Sequence, residues 1–383
     1  MILRILVIAP EQLPVPAIIG GSVETCIDQV FRRLAARGHH VTIISRAHPR
    51  LPRIELKQGG KLRHNRIPAH HKSQYISQAM RVSSSQAFDV IQVENRPTFI
   101  QTVHQQFPRT PIILSLHSLT FMSRLSRRRG NQVLRLVKGV TTVGRFITSS
   151  MTSRFPSYKK KFSTSHQGVD TRLFRQRSPL AQKRLRRAWS VSGTTNILFV
   201  GRTVPQKGLH TLVKAMARIP KTSKPLRLIV AGASWPGKKH QSPYMNSIKR
   251  LAQQLNIRLT FTGYIPPARI HQIYQLADIF VCPTKYQEGV PLVNSEAMAS
   301  GIPVVASRRG GIPEMIQHNR NGLLISDYTN PSAFARAIHR ILSNRALARR
   351  LSANGRKRVV KKFSWDAAAT RLEMQHASLR KNR

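Results

Sequence analysis

Two glutamates, Glu288 and Glu296, stand eight residues apart in the segment QEGVPLVNSEAMASG. Glutamate is scarce in this chain, with eight in all, so each one carries weight. Glu288 closes a strand-to-helix loop, and Glu296 falls about one turn into the helix that follows. Carboxylates accept hydrogen bonds from sugar hydroxyls, and the open amides of a helix N-terminus bind phosphate. With Gly289 and Pro291 between them, the Glu288 carboxylate and the amides at the start of that helix point into one space. A second group, Arg202 and Lys207 in VGRTVPQKG, follows the carboxyl end of a strand. Arginine offers a two-pronged fork and lysine a point charge, a pair suited to pyrophosphate. Gly20-Gly21 lies between a strand and a helix, where a bare backbone can approach a phosphate closely. The pair is not Gly-x-Gly-x-x-Gly, so a nicotinamide dinucleotide site gains little support. His117 ends a strand in LSLHS. Gly310-Gly311 and Gly322 read as turns, and Glu314 adds a third carboxylate beside the first of them.

These residues need a scaffold of strands whose carboxyl ends come together, and the apolar pattern supplies one. Leu3–Ala9, Val41–Ser45, Asp89–Val93, Ile112–Leu116, Gly139–Val143 and Phe162–His166 read as strands. A helix over Val23–Arg37 stops at Gly38, and another lies near Phe99–Gln106. The alternation lapses over 171–195 and then restarts with strands at Ile197–Val200, Leu226–Ala231, Leu259–Thr262, Ile279–Cys282 and Pro303–Ala306, with helices between them. Long helical patterns occupy 331–362 and 364–379. Repeated βα in two halves predicts an α/β fold of two doubly wound domains facing a cleft, with ligands at the carboxyl ends of the strands. The expected boundaries are 1–180, 181–362 and a final helix over 363–383.

Sixty-four Lys and Arg against 14 acids give a net charge of +50 over 383 residues. Residues 95–277 hold 33 of these bases and one acid, Asp170. A 40 % apolar content excludes a disordered basic tail, so the charge belongs to a folded surface that meets an anionic partner or simply stays solvated. The densest clusters are Arg124-Arg127-Arg128-Arg129 and Lys183-Arg184-Arg186-Arg187. No helix-turn-helix, zinc or RNP-type motif occurs, so nucleic acid is expected to bind only through sequence-blind charge. Cys26 and Cys282 alone build neither a disulfide framework nor a zinc site. The first apolar run reaches Glu11 too soon for a signal peptide, and no run is long enough to span a membrane.

Taken in order, Gly20-Gly21, His117, HQGVD (166–170), GRTVPQKG, ADIFVCPT (277–284), Glu288 to Glu296, EAMASGIPVVAS, GGIPE and NGLLI form a recognisable set. The chain resembles the retaining glycosyltransferases of family 4, which have the GT-B fold. EQLPVPAIIGG, ENRPTF and TSRFPS further resemble the spore coat protein SA branch of that family. The resemblance implies transfer of a hexose-type unit from a UDP- or GDP-sugar to an acceptor hydroxyl with retention, without a metal or a separate cofactor. It implies that Arg202 and Lys207 hold the donor diphosphate, Glu296 the ribose and Glu288 the sugar ring. Amides around Pro291, Leu292 and Val293 would help with the phosphate, Tyr264 would lie near the base, Gly20 and Gly21 would approach both substrates, and His117 would line the reaction centre. It implies a final helix near Trp365 that crosses back to the first domain.

Two departures stand out. Gln167 replaces the usual Asn before Gly-Val-Asp, a change expected to be structural and tolerable. Val290-Pro291 replaces an aromatic-glycine pair, and proline has no N–H to donate. The acceptor is expected to be an anionic glycan, a lipid or a coat protein. The place of action is expected to be the cytoplasm, with peripheral attachment to membrane through Arg124–Lys138 or to the spore coat. A coat protein that keeps the fold but has little catalysis is the alternative.

Overall fold

The computed structural model describes residues 2–235 and 242–380. The chain divides into two units. Unit 1 is Met1–Gln167 joined by Trp365–Arg383, and unit 2 is Gly168–Ser364. The first boundary thus falls before the 180/181 expected. The helix Pro179–Ala188 lies within unit 2, where Arg186 reaches Asp278 at 2.8 Å.

Unit 1 is built on β1 (Arg4–Ile8), β2 (His40–Arg46), β3 (Ile54–Lys57), β4 (Leu62–Ile67), β5 (Val90–Glu94), β6 (Ile112–Leu116), β7 (Gly139–Thr142) and β8 (Phe162–Thr164). Their order in the sheet is β3-β4-β2-β1-β5-β6-β7-β8. All neighbours are parallel except β3, which runs antiparallel to β4. Ile5, Leu6, Val7 and Ile8 of β1 are fully buried, because a parallel strand covered by helices on both faces hides every side chain. The sequence pattern does not predict the β3–β4 hairpin. Its β4 buries His64, Asn65 and Arg66, polar residues that mask a strand. Arg66 is tolerated there because it donates to Glu55 at 2.7 Å, to the Pro52 carbonyl at 2.7 Å and to the Val15 carbonyl at 2.9 Å.

The helix Ser22–Ala36 lays Ile27, Val30, Phe31 and Leu34 on the core at helical spacing. The last helix, Trp365–Arg380, packs along it within unit 1. Arg33 meets Asp366 at 3.0 Å, Arg37 meets Glu373 at 2.6 Å, and His39 meets the other Glu373 oxygen at 2.9 Å.

Unit 2 carries β9 (Thr195–Val200), β10 (Leu226–Ala231), β11 (Arg258–Gly263), β12 (Ile279–Cys282), β13 (Val304–Ser307) and β14 (Leu323–Ile325). Their order is β11-β10-β9-β12-β13-β14, all parallel. This is the Rossmann order, in which the winding reverses between β9 and β12. In unit 1 the same reversal falls between β1 and β5. The 331–362 pattern resolves into two helices, Pro331–Leu342 and Arg345–Lys362, each capped by an asparagine side chain. No helix among the described residues is long and apolar enough to cross a membrane.

Candidate active site

The reversal point of unit 2 gathers most of the residues that the sequence singles out. Behind β9 the chain turns through Gly201, Arg202 and a short helical turn, Pro205–Lys207, into Gly208. Gly208 has φ +73°, and an added Cβ would lie 1.9 Å from the Pro283 carbonyl oxygen. That close approach, possible only for glycine, brings the β9 and β12 loops together. Lys207 Nζ consequently donates to Glu288 Oε2 at 2.6 Å. The second oxygen, Glu288 Oε1, is buried without a hydrogen-bond partner among the described residues. Arg202 projects into solvent at the same strand end, and among the described residues it forms no ion pair. An open carboxylate oxygen, a lysine and a free guanidinium at one strand end can receive hydroxyls and phosphate together.

The glycine pair 310–311, expected as a simple turn, supports this loop. The Gly311 N–H donates to the Glu288 carbonyl at 2.9 Å. An added Cβ at Gly310 would sit 2.0 Å from the Glu288 oxygen, and one at Gly311 would sit 2.0 Å from the Gly289 oxygen. Glu314 follows in the short helix Ile312–Met315, and its carbonyl accepts from Arg358 at 2.8 Å.

The helix Leu292–Ala299 begins directly after this loop, with Pro291 as its N-cap. Pro291 has no N–H, so it contributes no phosphate donor and serves to fix the start of the helix. Leu292 and Val293 occupy the first turn, where N–H groups lack intrahelical partners. Glu296 lies further along the same helix and accepts from the Tyr274 hydroxyl at 2.6 Å. Burial pushes its carboxyl up to about 7, opposed by that hydrogen bond. Tyr264 follows β11, the outer strand of the sheet, and is partly buried. Arg202, Lys207, Glu288 and the helix start therefore meet at the reversal point, whereas Tyr264 stands at the sheet edge.

Unit 1 places Gly20 and Gly21 behind β1 at its own reversal point, and His117 behind β6, the strand next to β5. Gly21 has φ +113°, and an added Cβ would meet Glu24 Oε2 at 2.1 Å, so a buried carboxyl lies directly beneath the glycine pair. Glu24 is 4 % exposed. Burial pushes its pKa to about 7, against its own backbone hydrogen bond and the charges of His117 and Arg96. His117, at the end of β6, has both ring nitrogens engaged. Glu94 Oε2 lies 2.7 Å from Nε2, and the Gln167 amide nitrogen lies 2.7 Å from Nδ1. Burial raises the Glu94 carboxyl, but hydrogen bonds from His117, Gln92 and Ser115 outweigh it and hold it below the usual range. Arg96 is buried, pairs with Glu11 at 2.6 Å and stacks 4.1 Å from the centre of the Phe121 ring.

Glu94, Gln167, Glu24 and Arg96 are absent from the sequence-based site. Gln167, expected to be structural, takes a specific part: its amide nitrogen lies against the His117 ring. The apolar-run reading of β5 passes over Glu94, although an acid so near the end of a buried strand was the available signal. A small cavity of about 30 Å³, room for one or two waters, lies beside His117, lined by Glu94, Ser115 and Gln167 and by the apolar Ile27, Phe31 and Leu372.

The raised Glu24 pKa has a consequence for stability. Its folded value of about 7 exceeds the ordinary 4.5, so folding is unpenalised below pH 4.5. The penalty grows from there and is complete above pH 7, at roughly 3 kcal/mol for a shift of this size. Glu24→Gln is therefore expected to stabilise unit 1 at pH 8 by up to about 3 kcal/mol and to be near neutral at pH 4.5. Urea melts at the two pH values measure this, and an equal effect at both excludes it.

Two Rossmann-like units, each with its polar residues at the sheet reversal, define a GT-B protein. The model "Glycosyltransferase Family 4" matches residues 19–173, and "Glycosyl transferases group 1" matches 182–358. The chain is 32 % identical over 382 residues to a putative glycosyltransferase, YtcC, of Bacillus subtilis, covering 98 % of this chain and 92 % of the relative. It is 31 % identical over 375 residues to the spore coat protein SA of the same organism, covering 97 % and 98 %. In fold it is similar to Anabaena Alr3699/HepE solved in complex with UDP-glucose, with a TM-score of 0.78, 17 % identity, and 98 % and 100 % of the two chains covered. The chain belongs to the family 4 glycosyltransferases.

Proposed function

We propose that this glycosyltransferase takes a nucleotide diphosphate sugar as donor and transfers its sugar to an acceptor hydroxyl with retention, using neither a metal nor another cofactor. The observation that carries the reading is the Lys207–Glu288 pair at the β9/β12 reversal, beside the start of the helix Leu292–Ala299. Arg202, Lys207 and the Leu292 and Val293 amides neutralise the leaving diphosphate, which is electrostatic stabilisation of charge as it develops. Glu288 receives sugar hydroxyls through its open oxygen, and Glu296 receives the ribose. Tyr264 lies toward the base. The bond from the anomeric carbon to the diphosphate oxygen breaks while the acceptor oxygen bonds to that carbon from the same face. The acceptor proton passes to the departing diphosphate. Glu288 is not assigned a covalent role: its open oxygen serves as an acceptor for sugar hydroxyls. Gly20, Gly21 and His117 serve the acceptor side, in unit 1.

The relative named spore coat protein SA supports a spore coat or envelope glycan as the setting of this reaction, with a cytoplasmic enzyme as its agent. Arg124, Arg127, Arg128, Arg129, Arg135 and Lys138 are all exposed on one short stretch of unit 1. This supports reversible attachment to an anionic surface. Co-sedimentation with anionic but not with neutral vesicles is the expected outcome, and equal sedimentation with both removes this part of the proposal.

A panel of UDP- and GDP-sugars tests the central reading. One nucleotide sugar is expected to raise the melting temperature and to be turned over with its anomeric configuration kept, in the presence of a chelator as in its absence. Folded protein that neither binds nor turns over any of them favours the coat protein with little catalysis.

A further inference from the structure

Five buried side chains of unit 1 form an unbroken hydrogen-bonded line. Gln167 Nε2 lies 2.7 Å from His117 Nδ1, and His117 Nε2 lies 2.7 Å from Glu94 Oε2. Gln92 Nε2 donates to Glu94 Oε1 at 2.5 Å, and His376 Nε2 lies 2.8 Å from Gln92 Oε1. Gln92, Glu94, Gln167 and His376 are at most 5 % exposed. The line begins at the last residue of the first segment of unit 1 and ends on the C-terminal helix.

The chemistry of each group fixes its direction. An ionised carboxylate only accepts, so His117 Nε2 carries a hydrogen and Gln92 must present its NH₂ to Glu94. The Gln92 oxygen then faces His376, whose Nε2 must carry a hydrogen to satisfy it. His376 is neutral, since burial lowers its pKa to about 4. A neutral histidine with its hydrogen on Nε2 has a bare Nδ1, and His376 Nδ1 indeed has no partner among the described residues. Without the His376 donor, the buried Gln92 oxygen loses its partner, and the amide shifts to seek another donor and loosens its bond to Glu94.

We infer that His376 and Gln92 are positioning residues for the sugar transfer: they hold Glu94 in the orientation that sets the tautomer and ring plane of His117. The inference rests on the acceptor-side role given to His117 above. His376 touches no substrate in this arrangement and acts only through Gln92 and Glu94.

The test compares His376→Phe with His376→Gln in the full chain. Phenylalanine keeps the ring that stacks on Phe31 but has no N–H, whereas the glutamine amide can place an N–H where the imidazole Nε2 stands. Turnover is read as nucleoside diphosphate release from UDP-glucose or GDP-mannose, whichever raises the melting temperature more. His376→Phe is expected to lower kcat about tenfold at unchanged donor KM, the loss that follows one buried hydrogen bond at the upper end of the ordinary range. His376→Gln is expected to recover most of it. In ¹⁵N-histidine spectra the His117 signals are expected to move in His376→Phe and to return in His376→Gln. Unchanged His117 signals in His376→Phe overturn the inference whatever the activity, as does a glutamine variant as impaired as the phenylalanine one. Signals that move without any change in kcat uphold the positioning of the ring and instead overturn the role given to His117.

Discussion

Glu288→Gln is expected to lower turnover of the donor by about two to three orders of magnitude, because it releases Lys207 from its place at the developing diphosphate charge and removes an acceptor for the sugar. The loss follows from the two faces of this carboxylate. One oxygen carries the Lys207 ammonium at 2.6 Å, which orients that lysine toward the strand end where a diphosphate binds. The other is buried with no partner and is left for a ligand. Glutamine keeps the shape but cannot offer two acceptors, so the lysine or the sugar hydroxyl loses its site. The Lys207–Glu288 pair is partly solvent-exposed, with 20 % and 13 % of the side chains accessible. Because both side chains are mostly shielded, breaking the pair is expected to change folding stability by about 1–2 kcal/mol. Steady-state kinetics and a melting curve on one preparation separate the two effects. Wild-type kcat in a folded variant would remove Glu288 from the reaction.

Gly311→Ala is expected to damage stability and activity together, although residue 311 touches no ligand in the proposal. A Cβ there would stand 2.0 Å from the Gly289 carbonyl oxygen. That oxygen belongs to backbone and cannot swing aside as a side chain would. The loop bearing Glu288 must move, and the 2.9 Å bond from the Gly311 N–H to the Glu288 carbonyl must stretch. Overpacking of this kind costs about 1–3 kcal/mol, which in a unit of this size lowers the melting temperature by roughly 3–10 °C. Because the displaced loop is the one that positions Glu288, donor KM should rise and kcat should fall with it. A variant that melts earlier but keeps wild-type kinetics would show that the loop tolerates the displacement.

The elements that position the site were legible where burial produced uniform apolar runs. β1, β6, β9 and β12 are of this kind, and the loops after them hold Gly20-Gly21, His117, Arg202 with Lys207, and Glu288. The β3–β4 hairpin was not legible, because β4 buries His64, Asn65 and Arg66, and Arg66 is satisfied by two backbone carbonyls and one glutamate that no local pattern announces. The donor-side residues were readable from local spacing, since Lys207 and Glu288 each sit in a short loop with its own glycine. The surroundings of His117 were not. Its partners lie 23 and 50 residues away, and the far end of the line is 284 residues from Gln92. No local pattern connects residues so separated; only the closure of the sheet and the return of the last helix do. Gly310-Gly311 shows the same limit. A turn and a close backbone contact require the same residue, and only the contact names the loop it supports.

The division of unit 1 into two stretches of chain has a consequence for biosynthesis. At the usual ribosomal pace of about 5–20 residues per second, roughly 10–40 s separate the emergence of residue 167 from that of residue 365. Unit 2, continuous from Gly168 to Ser364, can fold within that interval. Unit 1 cannot finish, because Phe31, Arg37, His39 and Gln92 wait for partners on Trp365–Arg380. The part of the protein made first is thus completed last, and a nascent chain released before Trp365 carries an uncovered apolar helix that chaperones must shield.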